Sequence, residues 1–178
     1  MKKYEFTGET KKVEMLFRIV TLHRIRATVS FGLVEVGELG GWIEKEENLS
    51  HDGKAWVCGD AKVCGDAKVW GNAEVWGNAE VWGNAEVWGN AEVFSASHVL
   101  VIGAIGSRND FTTFYRDKDN EITVKCGCFL GKIDKFLQKV TETHGDSKYA
   151  LVYRAAVEVA KLQIDLSGEA PKEEDGAE

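Results

Sequence analysis

The chain has 178 residues and a formal net charge of −7 at pH 7. This length suits one compact domain or two small ones. The acidic balance excludes a general nucleic-acid binder, which would present a basic face, and no apolar run reaches the roughly 18 residues that a membrane-spanning helix needs. The N-terminal MKKYEFTGETKK has no apolar core behind its lysines. We therefore expect no signal peptide, no membrane association and a cytoplasmic protein.

The pattern along the chain predicts four parts. Residues 1–47 form a β-rich N-terminal cap, because YEFTGE, VEMLFRIV and LHRIRATVSF are strand-length runs rich in aromatic and branched side chains. Residues 48–100 are a repeat region, and residues 101–165 form a C-terminal α+β unit. Residues 166–178 are a charged, acidic tail without apolar anchors, which we expect to be disordered.

The C-terminal unit is predicted to contain two strands and two helices. FTTFYR and EITVKCGCF are strand-like and are joined by the turn DKDN. GKIDKFLQKVTETHG carries apolar residues at helical spacing and ends at Gly145. SKYALVYRAAVEVAKLQI follows as a second helix, with Ser147 as its N-cap.

The repeat region has a period of six residues. Valines recur every six positions from Val57 to Val99, and Ala stands two places before each of them except in the last unit, where Ser97 replaces it. Ala and Val two places apart share one side of a strand, the residue between them faces the other way, and Gly-Asn or Gly-Asp makes a corner. A helix is excluded, because a period of six sweeps around a helix surface. Strands this short bury their apolar side only when units stack into a solenoid.

This pattern resembles the hexapeptide-repeat family, whose fold is a left-handed parallel β-helix. The resemblance covers about 50 residues and implies three six-residue sides per triangular coil. Residues three repeats apart then become vertical neighbours. This register predicts the pairs Lys62–Glu80 and Lys68–Glu86, with Glu74 and Glu92 as a like-charged exception.

The same register stacks the corner residues and the aromatic residues. The predicted polar ladders are Asp60–Asn78, Asp66–Asn84 and Asn72–Asn90. The predicted aromatic columns are Cys58–Trp76–Phe94, Cys64–Trp82 and Trp70–Trp88, all facing outward. Since soluble monomers rarely expose large apolar patches, we expect these columns to be covered by flanking segments or by a second chain in a homo-oligomer. The alternative is that a few rings stay open and stack a flat ligand such as a base.

Segments on both sides of the repeat are similar to a group of proteins encoded by phages and prophages of gut bacteria. The matching segments are LHRIRA, LGGWIEKEENLS, KAWV, FTTFYR, VKCGCFLGKIDKF and THGDSKYA. This resemblance covers nearly the whole chain. It implies a viral origin and a hexapeptide architecture, and it carries over no catalytic residues.

The densest polar group of the sequence lies at the start of the C-terminal unit. The ligand-binding candidates are Ser107, Arg108, Thr112, Thr113, Tyr115, Arg116, His144 and, from the repeat, Trp88. Backbone amides of a Gly-Ser-Arg loop bind anions, and Arg beside Thr and Tyr is typical of phosphate or carboxylate sites. The alternative is a solvated sheet edge, with His144 favoured at a helix end by the helix dipole.

The cysteines Cys58, Cys64, Cys126 and Cys128 are expected to be reduced thiols. Cys126-Gly-Cys128 resembles half of a metal site, but no second Cys/His pair completes it, so we predict neither a metal nor a cofactor. Cys126 and His144 as nucleophile and base lack an orienting partner.

These features favour a non-catalytic phage protein that counteracts host defence by sequestering a small anionic, nucleotide-like signal. One alternative is a blocker of a host protein through Trp-rich surfaces. Another is a hexapeptide-repeat acyltransferase, which the few histidines of the repeat argue against. The last is a structural or assembly protein.

Overall fold

The computed structural model describes residues 2–15 and 18–168. The N-terminal strands are β1 (Tyr4–Met15), β2 (Arg18–Ala27) and β3 (Leu39–Ile43). The repeat strands are β4 (Trp56–Val57), β5 (Lys62–Val63), β6 (Lys68–Val69), β7 (Glu74–Val75), β8 (Glu80–Val81), β9 (Glu86–Val87) and β10 (Glu92–Val93). The remaining elements are β11 (Val99–Ile105), β12 (Asp110–Arg116), β13 (Ile122–Cys126), β14 (Phe129–Lys132), α1 (Ile133–His144) and α2 (Lys148–Gln163). The fold is mainly β with two helices.

Each repeat strand pairs in parallel with the strand three repeats further along the chain. β4, β7 and β10 form one column, β5 and β8 a second, and β6 and β9 a third. Backbone bonds continue this register beyond the short strands, as in Asn72 N–H to the carbonyl of Gly89. The predicted three-repeat register is therefore present in the backbone.

The Ala and Val positions of the repeat form one continuous core. All of them from Ala55 to Val93 are at most 1 % exposed, which confirms the predicted inward side. The six corner glycines from Gly59 to Gly89 have φ between +62° and +73°. This region of backbone space is open to glycine at little cost and strained for most other residues.

Parallel strand pairing begins before the region of six-residue repeats, and the repeat ends in a 3₁₀ turn. Trp42 pairs with Lys62 and Leu49 with Val69. Both spacings are slightly longer than three repeats, so the loop before β4 carries a short insertion. The cap predicted for residues 1–47 therefore contains a stacked strand, β3. At the other end the chain makes a short 3₁₀ turn at Ala96–His98 and leaves the repeat.

A long antiparallel hairpin of β1 and β2 covers the beginning of this stack. β2 pairs with β3, which joins the hairpin to the column of β5 and β8. Tyr4 and Ile25 of the hairpin pack into the repeat core beside Trp56. Trp56 is 3 % exposed, so an aromatic side chain occupies a position that elsewhere in the repeat holds Lys or Glu.

The C-terminal unit is a four-stranded antiparallel sheet, in the order β11-β12-β13-β14, with both helices packed on it. FTTFYR lies in β12 and the turn DKDN follows it, as predicted. The predicted strand EITVKCGCF is divided, because β13 ends at Cys126 and β14 begins at Phe129, and with β11 the sheet has four strands where two were predicted. Both predicted helices are present: Phe136 and Val140 of α1 are buried, and Gly145 and Ser147 occupy the predicted cap positions. No helix in residues 2–15 or 18–168 is both long and apolar enough to cross a membrane.

β12 lies between two cores. Tyr115 belongs to the repeat core and Phe114 to the core beneath the helices. Alternation along the strand thus sends one side of β12 to the repeat and the other to α1 and α2. Leu166, Ser167 and Gly168 follow α2 outside helix and strand. The rest of the predicted acidic tail, residues 169–178, lies outside the described residues.

Candidate functional site

Four of the predicted ligand-binding residues are buried inside the protein. Thr112, Thr113, Tyr115 and Arg116 are each at most 2 % exposed. The Tyr115 hydroxyl donates to the Trp88 carbonyl at 3.0 Å, and the Glu86 amide donates to Thr113 Oγ1 at 3.0 Å. Both faces of β12 are covered, so the prediction of an open Thr/Tyr/Arg surface on this strand is wrong.

Arg116 is a buried cation that stabilises the end of the C-terminal unit. Its guanidinium lies 4.4 Å from the centroid of the Phe94 ring. It donates to Asn120 Oδ1 and, at 3.0 Å, to the Gly168 carbonyl. Its position between the last repeat and the chain that follows α2 gives Arg116 a structural role.

Trp88 is also covered. Its ring stacks on Trp70 at 5.3 Å with 5° between the planes, and the Lys125 ammonium lies 4.8 Å from the Trp88 ring centroid. Lys125 is held there by an ion pair with Glu86 at 3.2 Å. Trp88 therefore agrees with the expectation that flanking segments cover the aromatic columns, and the alternative of an open stacking ring does not hold for this candidate.

The three remaining candidates do come together. Ser107, Arg108 and His144 line a groove of about 210 Å³ between the loop after β11, the β13–β14 turn and α1. The other lining residues are Cys126, Cys128, Phe129, Phe136, Lys139, Val140, Thr143 and Tyr153. We call this space the C-terminal groove.

The C-terminal groove is free of carboxylates among its lining residues and carries two cations, Arg108 and Lys139. In a chain with net charge −7, this makes the groove a local positive site. Glu142 lies 3.5 Å from Lys139, but both side chains are more than half exposed. An exposed pair of this kind is worth about 0–1 kcal/mol and leaves Lys139 able to turn toward a ligand.

Tyr153 of α2 forms one wall of the groove. A Cβ on Gly106 would clash with the Tyr153 hydroxyl and ring, so this glycine lets the loop lie directly on the tyrosine. His144 stacks against the same ring, with centroids 5.8 Å apart. Burial, with Cys126 as a further contribution, raises the pKa of Tyr153 to about 12. The hydroxyl is therefore a neutral donor at physiological pH.

Cys126 and His144 each contact Tyr153 rather than one another. The Cys126 thiol lies 4.0 Å from the Tyr153 hydroxyl, and Thr112 Oγ1 donates to its sulfur at 3.3 Å. No hydrogen bond joins Cys126 to His144 in the described part of the chain. In this arrangement Cys126 and His144 do not form a hydrogen-bonded nucleophile–base pair.

Arg108 also borders a second groove, of about 400 Å³, between the repeat and the C-terminal unit. Lys68 and Lys125 line it, but so do Asp66, Glu86 and Asp110, and the charges cancel. Arg108 packs across Gly127 between the two grooves, where a Cβ on the glycine would lie 3.0 Å from Nη1. The acid-free side is the better place for an anion.

The acidic group Asp117, Asp119 and Glu121 is occupied by the protein itself. The Lys132 ammonium pairs with all three carboxylates. Burial disfavours the charge on Asp117, but hydrogen bonds from Lys132 and Thr123 outweigh it and lower the pKa. This cluster closes the β12–β13 turn.

Sequence reasoning missed Lys139 and Tyr153 as site residues. Lys139 lies one helical turn before Thr143 on α1, and Val140 lies one turn before His144, so the two pairs line neighbouring strips of the helix. Tyr153 carried no signal, because a buried aromatic at helical spacing is the ordinary pattern of a core residue.

Comparison with protein-family models gives no match to this chain, and comparison with curated proteins gives none either.

Proposed function

We propose that this protein is a non-catalytic binding protein that holds a small anionic ligand in the C-terminal groove. The proposal rests on one observation. Ser107, Arg108 and Lys139 line the same groove, and none of its lining residues carries a carboxylate. Arg donates in a planar fork that matches phosphate and carboxylate oxygens. The Ser107 hydroxyl lines the groove as well, hydrogen-bonded to the buried Tyr153 hydroxyl behind it.

The walls of the groove favour a ligand that also has a flat apolar part. Of the aromatic residues that line it, Phe136 and Tyr153 are buried, whereas Phe129 and His144 are partly exposed. Every nucleobase has a face that stacks on aromatic rings. The volume of about 210 Å³ lies below the roughly 300–1,000 Å³ of sites that enclose whole drug-sized ligands. A nucleotide-like ligand would place its phosphate and part of its ring system in the groove.

The biological role follows from the resemblance to phage proteins. We propose that the protein acts in the cytoplasm of the host bacterium and counteracts a defence system by sequestering its nucleotide-like signal. The observation that favours the alternative, the blocking of a host protein, is Trp82. Its side chain is 53 % exposed beside the half-buried Val99 and Val101, and aromatic residues are enriched in protein interfaces.

The scaffold proposed for this role is the left-handed parallel β-helix of the hexapeptide-repeat family. Support comes from the three-repeat parallel register, the buried Ala and Val positions and the glycine corners with positive φ. Three columns of strands correspond to three sides per coil.

The test is titration calorimetry with inorganic phosphate, AMP and ADP. We expect AMP or ADP to bind the wild type more tightly than phosphate, because the rings add to the anion contact. Arg108→Ala should weaken binding by about tenfold or more, the cost of one charge-assisted hydrogen bond. Arg26→Ala is the matched control, since Arg26 is an exposed arginine on the hairpin that pairs with Glu5.

Two outcomes would contradict the proposal. One is that none of the three probes binds the wild type, and the other is that Arg108→Ala binds as tightly as Arg26→Ala. Chromatography of AMP and ADP after incubation with the protein completes the test, because conversion of either would overturn the non-catalytic assignment. If nothing binds, a comparison of wild type and Trp82→Ala in binding to host proteins becomes decisive.

A further inference from the structure

A further groove lies between the turn at residues 31–34 and the outward side of β4 and β7. Its volume is about 340 Å³, which falls within the roughly 300–1,000 Å³ of typical small-ligand sites. Three aromatic residues, Phe31, Trp56 and Trp76, line it. We call this space the N-terminal groove.

One wall of the N-terminal groove is a tight turn. Phe31 and Val34 exchange two backbone hydrogen bonds, of 3.0 Å and 2.9 Å, and Gly32 between them has a φ of +58°, a conformation that favours glycine. The turn holds the Phe31 ring in an edge-to-face contact with Trp56, with centroids 5.3 Å apart. The aromatic wall is therefore in place before any ligand binds.

The floor of the groove exists because one repeat lacks its tryptophan. Cys58 occupies the repeat position that holds tryptophan from Trp70 to Trp88. Its backbone amide donates to the Val75 carbonyl at 2.9 Å, which places the small side chain of Cys58 next to Trp76. A second indole would fill this space, as in the stack of Trp70 and Trp88. With a thiol there, room remains beside the Trp76 ring, and both residues line the groove.

The charged residues of the lining favour a cation. Glu38 and Glu74 contribute two carboxylates and Lys54 contributes one ammonium, so the lining has a net negative charge. Glu74 is the cross-strand partner of Trp56, which brings a carboxylate next to an aromatic ring. Lys54 is exposed and its stem runs along Gly32. An exposed lysine of this kind keeps its ammonium group in water.

The neighbouring contacts leave this balance in place. Glu38 accepts a hydrogen bond from the Glu35 amide through one oxygen, at 3.0 Å, and its second oxygen can still face a ligand. The Lys3 ammonium lies 4.8 Å from the centroid of the Phe31 ring, but Lys3 is outside the lining of the groove. The charge of Asp52 opposes that of Lys3.

We propose that the N-terminal groove binds a small organic cation with a quaternary or protonated amine head group. The faces of aromatic rings attract a cation within about 6 Å of the centroid, and the attraction is strongest for tryptophan. The carboxylates of Glu38 and Glu74 add a Coulomb attraction of the same sign. This inference does not rest on the proposed function, because the acid-free C-terminal groove favours an anion.

The test is a titration of the full chain with choline, followed by NMR of the indole N–H signals of its six tryptophans. Trp56→Phe and Trp76→Phe assign the two signals of the groove. Choline is added to about 20 mM, enough to detect a millimolar dissociation constant, and sodium chloride keeps the ionic strength constant. We expect the signals of Trp56 and Trp76 to shift. The signal of Trp82, 53 % exposed in another column, should stay in place.

The matched ligand control is dimethylbutanol, which carries a neutral tert-butyl group in place of the trimethylammonium group. It has the shape of choline without the charge. Choline should bind at least about fivefold more tightly, because only the charged head gains the attraction of the rings and carboxylates.

Charge variants test the sign of the interaction. Glu74→Gln should weaken choline binding about twofold to fivefold, and Lys54→Gln should strengthen it by a similar factor because a repelling charge is removed. Both side chains are exposed, so neither change disturbs the core. Glu80→Gln is the matched control, because Glu80 holds the equivalent outward position on β8 in another column. It should bind choline as the wild type does.

Each part of the proposal has a result that would overturn it. Unchanged signals of Trp56 and Trp76 at the highest choline concentration would exclude the site, and so would a shift confined to Trp82. Equal affinity for dimethylbutanol would exclude a cation as the preferred ligand. Weaker binding in Lys54→Gln would replace the cation by a zwitterion whose acidic group pairs with Lys54. An equal loss in Glu80→Gln and Glu74→Gln would show that the attraction is not local to the groove.

Discussion

Trp70 and Trp88 lie one above the other, with ring centroids 5.3 Å apart and planes only 5° from parallel. They are three repeats apart in the sequence, so the stack is a direct side-chain consequence of the backbone register of β6 and β9. Lys125 of the C-terminal sheet closes the stack from outside. The aromatic residue of a repeat therefore stabilises the fold where another segment covers it. Where no segment covers it, its side chain is accessible to a binding partner.

This difference predicts unequal effects of removing two tryptophans. Trp88→Ala should destabilise the protein by about 2–4 kcal/mol, because it removes a stacked and half-buried ring, where full burial would give about 3–5 kcal/mol. Trp82→Ala should cost less than about 1 kcal/mol, since that side chain is 53 % exposed. Urea unfolding of both variants measures this. Equal losses would show that the column of Cys64 and Trp82 is as well packed as the stack of Trp70 and Trp88.

The strand Glu80–Val81 predicts a large loss of stability for one substitution and a small loss for its neighbour. Val81→Asp places a charge in the fully buried repeat core and should cost about 3–5 kcal/mol or more. Glu80→Gln removes a partly exposed ion pair with Lys62, 2.6 Å long, and should cost about 0–1 kcal/mol. Thermal melts compare the two. A similar fall in melting temperature for both would contradict the inward position of Val81.

The repeat was predictable because local rules determine it. Its Ala-x-Val spacing dictates which side is buried, and the Lys62–Glu80 pair follows from the register alone. The second predicted pair did not form as expected, because Glu86 instead pairs with Lys125 from a distant part of the chain. Of the predicted polar ladders, the Asn72–Asn90 bond is present at 3.4 Å, whereas Asp66 pairs with Lys45.

The candidate site was predictable only in part. Strand alternation sends Thr112 and Tyr115 to opposite sides of β12. Alternation does not tell whether a second layer covers each side, and here both sides are covered. Arg108 and Ser107 stay exposed because they lie in a loop, where backbone geometry keeps side chains out of the core. The candidate residues in the loop are therefore accessible to a ligand, whereas those on the strand are buried.

His98 predicts a dependence of stability on pH. It is 2 % exposed beside Arg116, and its Nδ1 accepts a hydrogen bond from the Phe94 amide at 3.4 Å. Burial first, and then the charge of Arg116, lower the pKa of His98 below its usual 6.5. Below pH about 6.5 the unfolded chain thus binds a proton that the folded chain does not. The free energy of unfolding therefore decreases as the pH is lowered, by at most about 1.4 kcal/mol per pH unit.

Urea unfolding at about pH 7.5 and about pH 5.5 measures this loss. His98→Asn keeps an acceptor for the Phe94 amide but does not titrate, so it should lose less stability than wild type between the two values. The matched control is His51→Asn, because burial also lowers the pKa of His51 although Glu46 opposes it. That variant should retain the contribution of His98. An unchanged pH dependence in His98→Asn would exclude His98 as its source.

The proposed three sides per coil predict which cysteines can be joined. Cys64 and Trp82 occupy equivalent positions three repeats apart, just beyond the paired strands β5 and β8. Neighbouring strands are about 4.8 Å apart, within the Cα separation of about 4.4–6.8 Å that a disulfide spans. Trp82→Cys should therefore crosslink to Cys64. Trp88→Cys should not, because its vertical neighbour is Trp70.

An oxidant such as copper phenanthroline is needed, since burial raises the pKa of the Cys64 thiol to about 11 and leaves little thiolate. Peptide mapping by mass spectrometry identifies the bond. Closing a loop of this size should stabilise the oxidised protein by about 3 kcal/mol relative to the reduced one, which reduction with dithiothreitol reverses. A crosslink from Trp82→Cys to Cys58, which stands four repeats earlier, or an equally efficient crosslink from Trp88→Cys to Cys64 would contradict three sides per coil. Either bond would require a different number of sides between vertical neighbours.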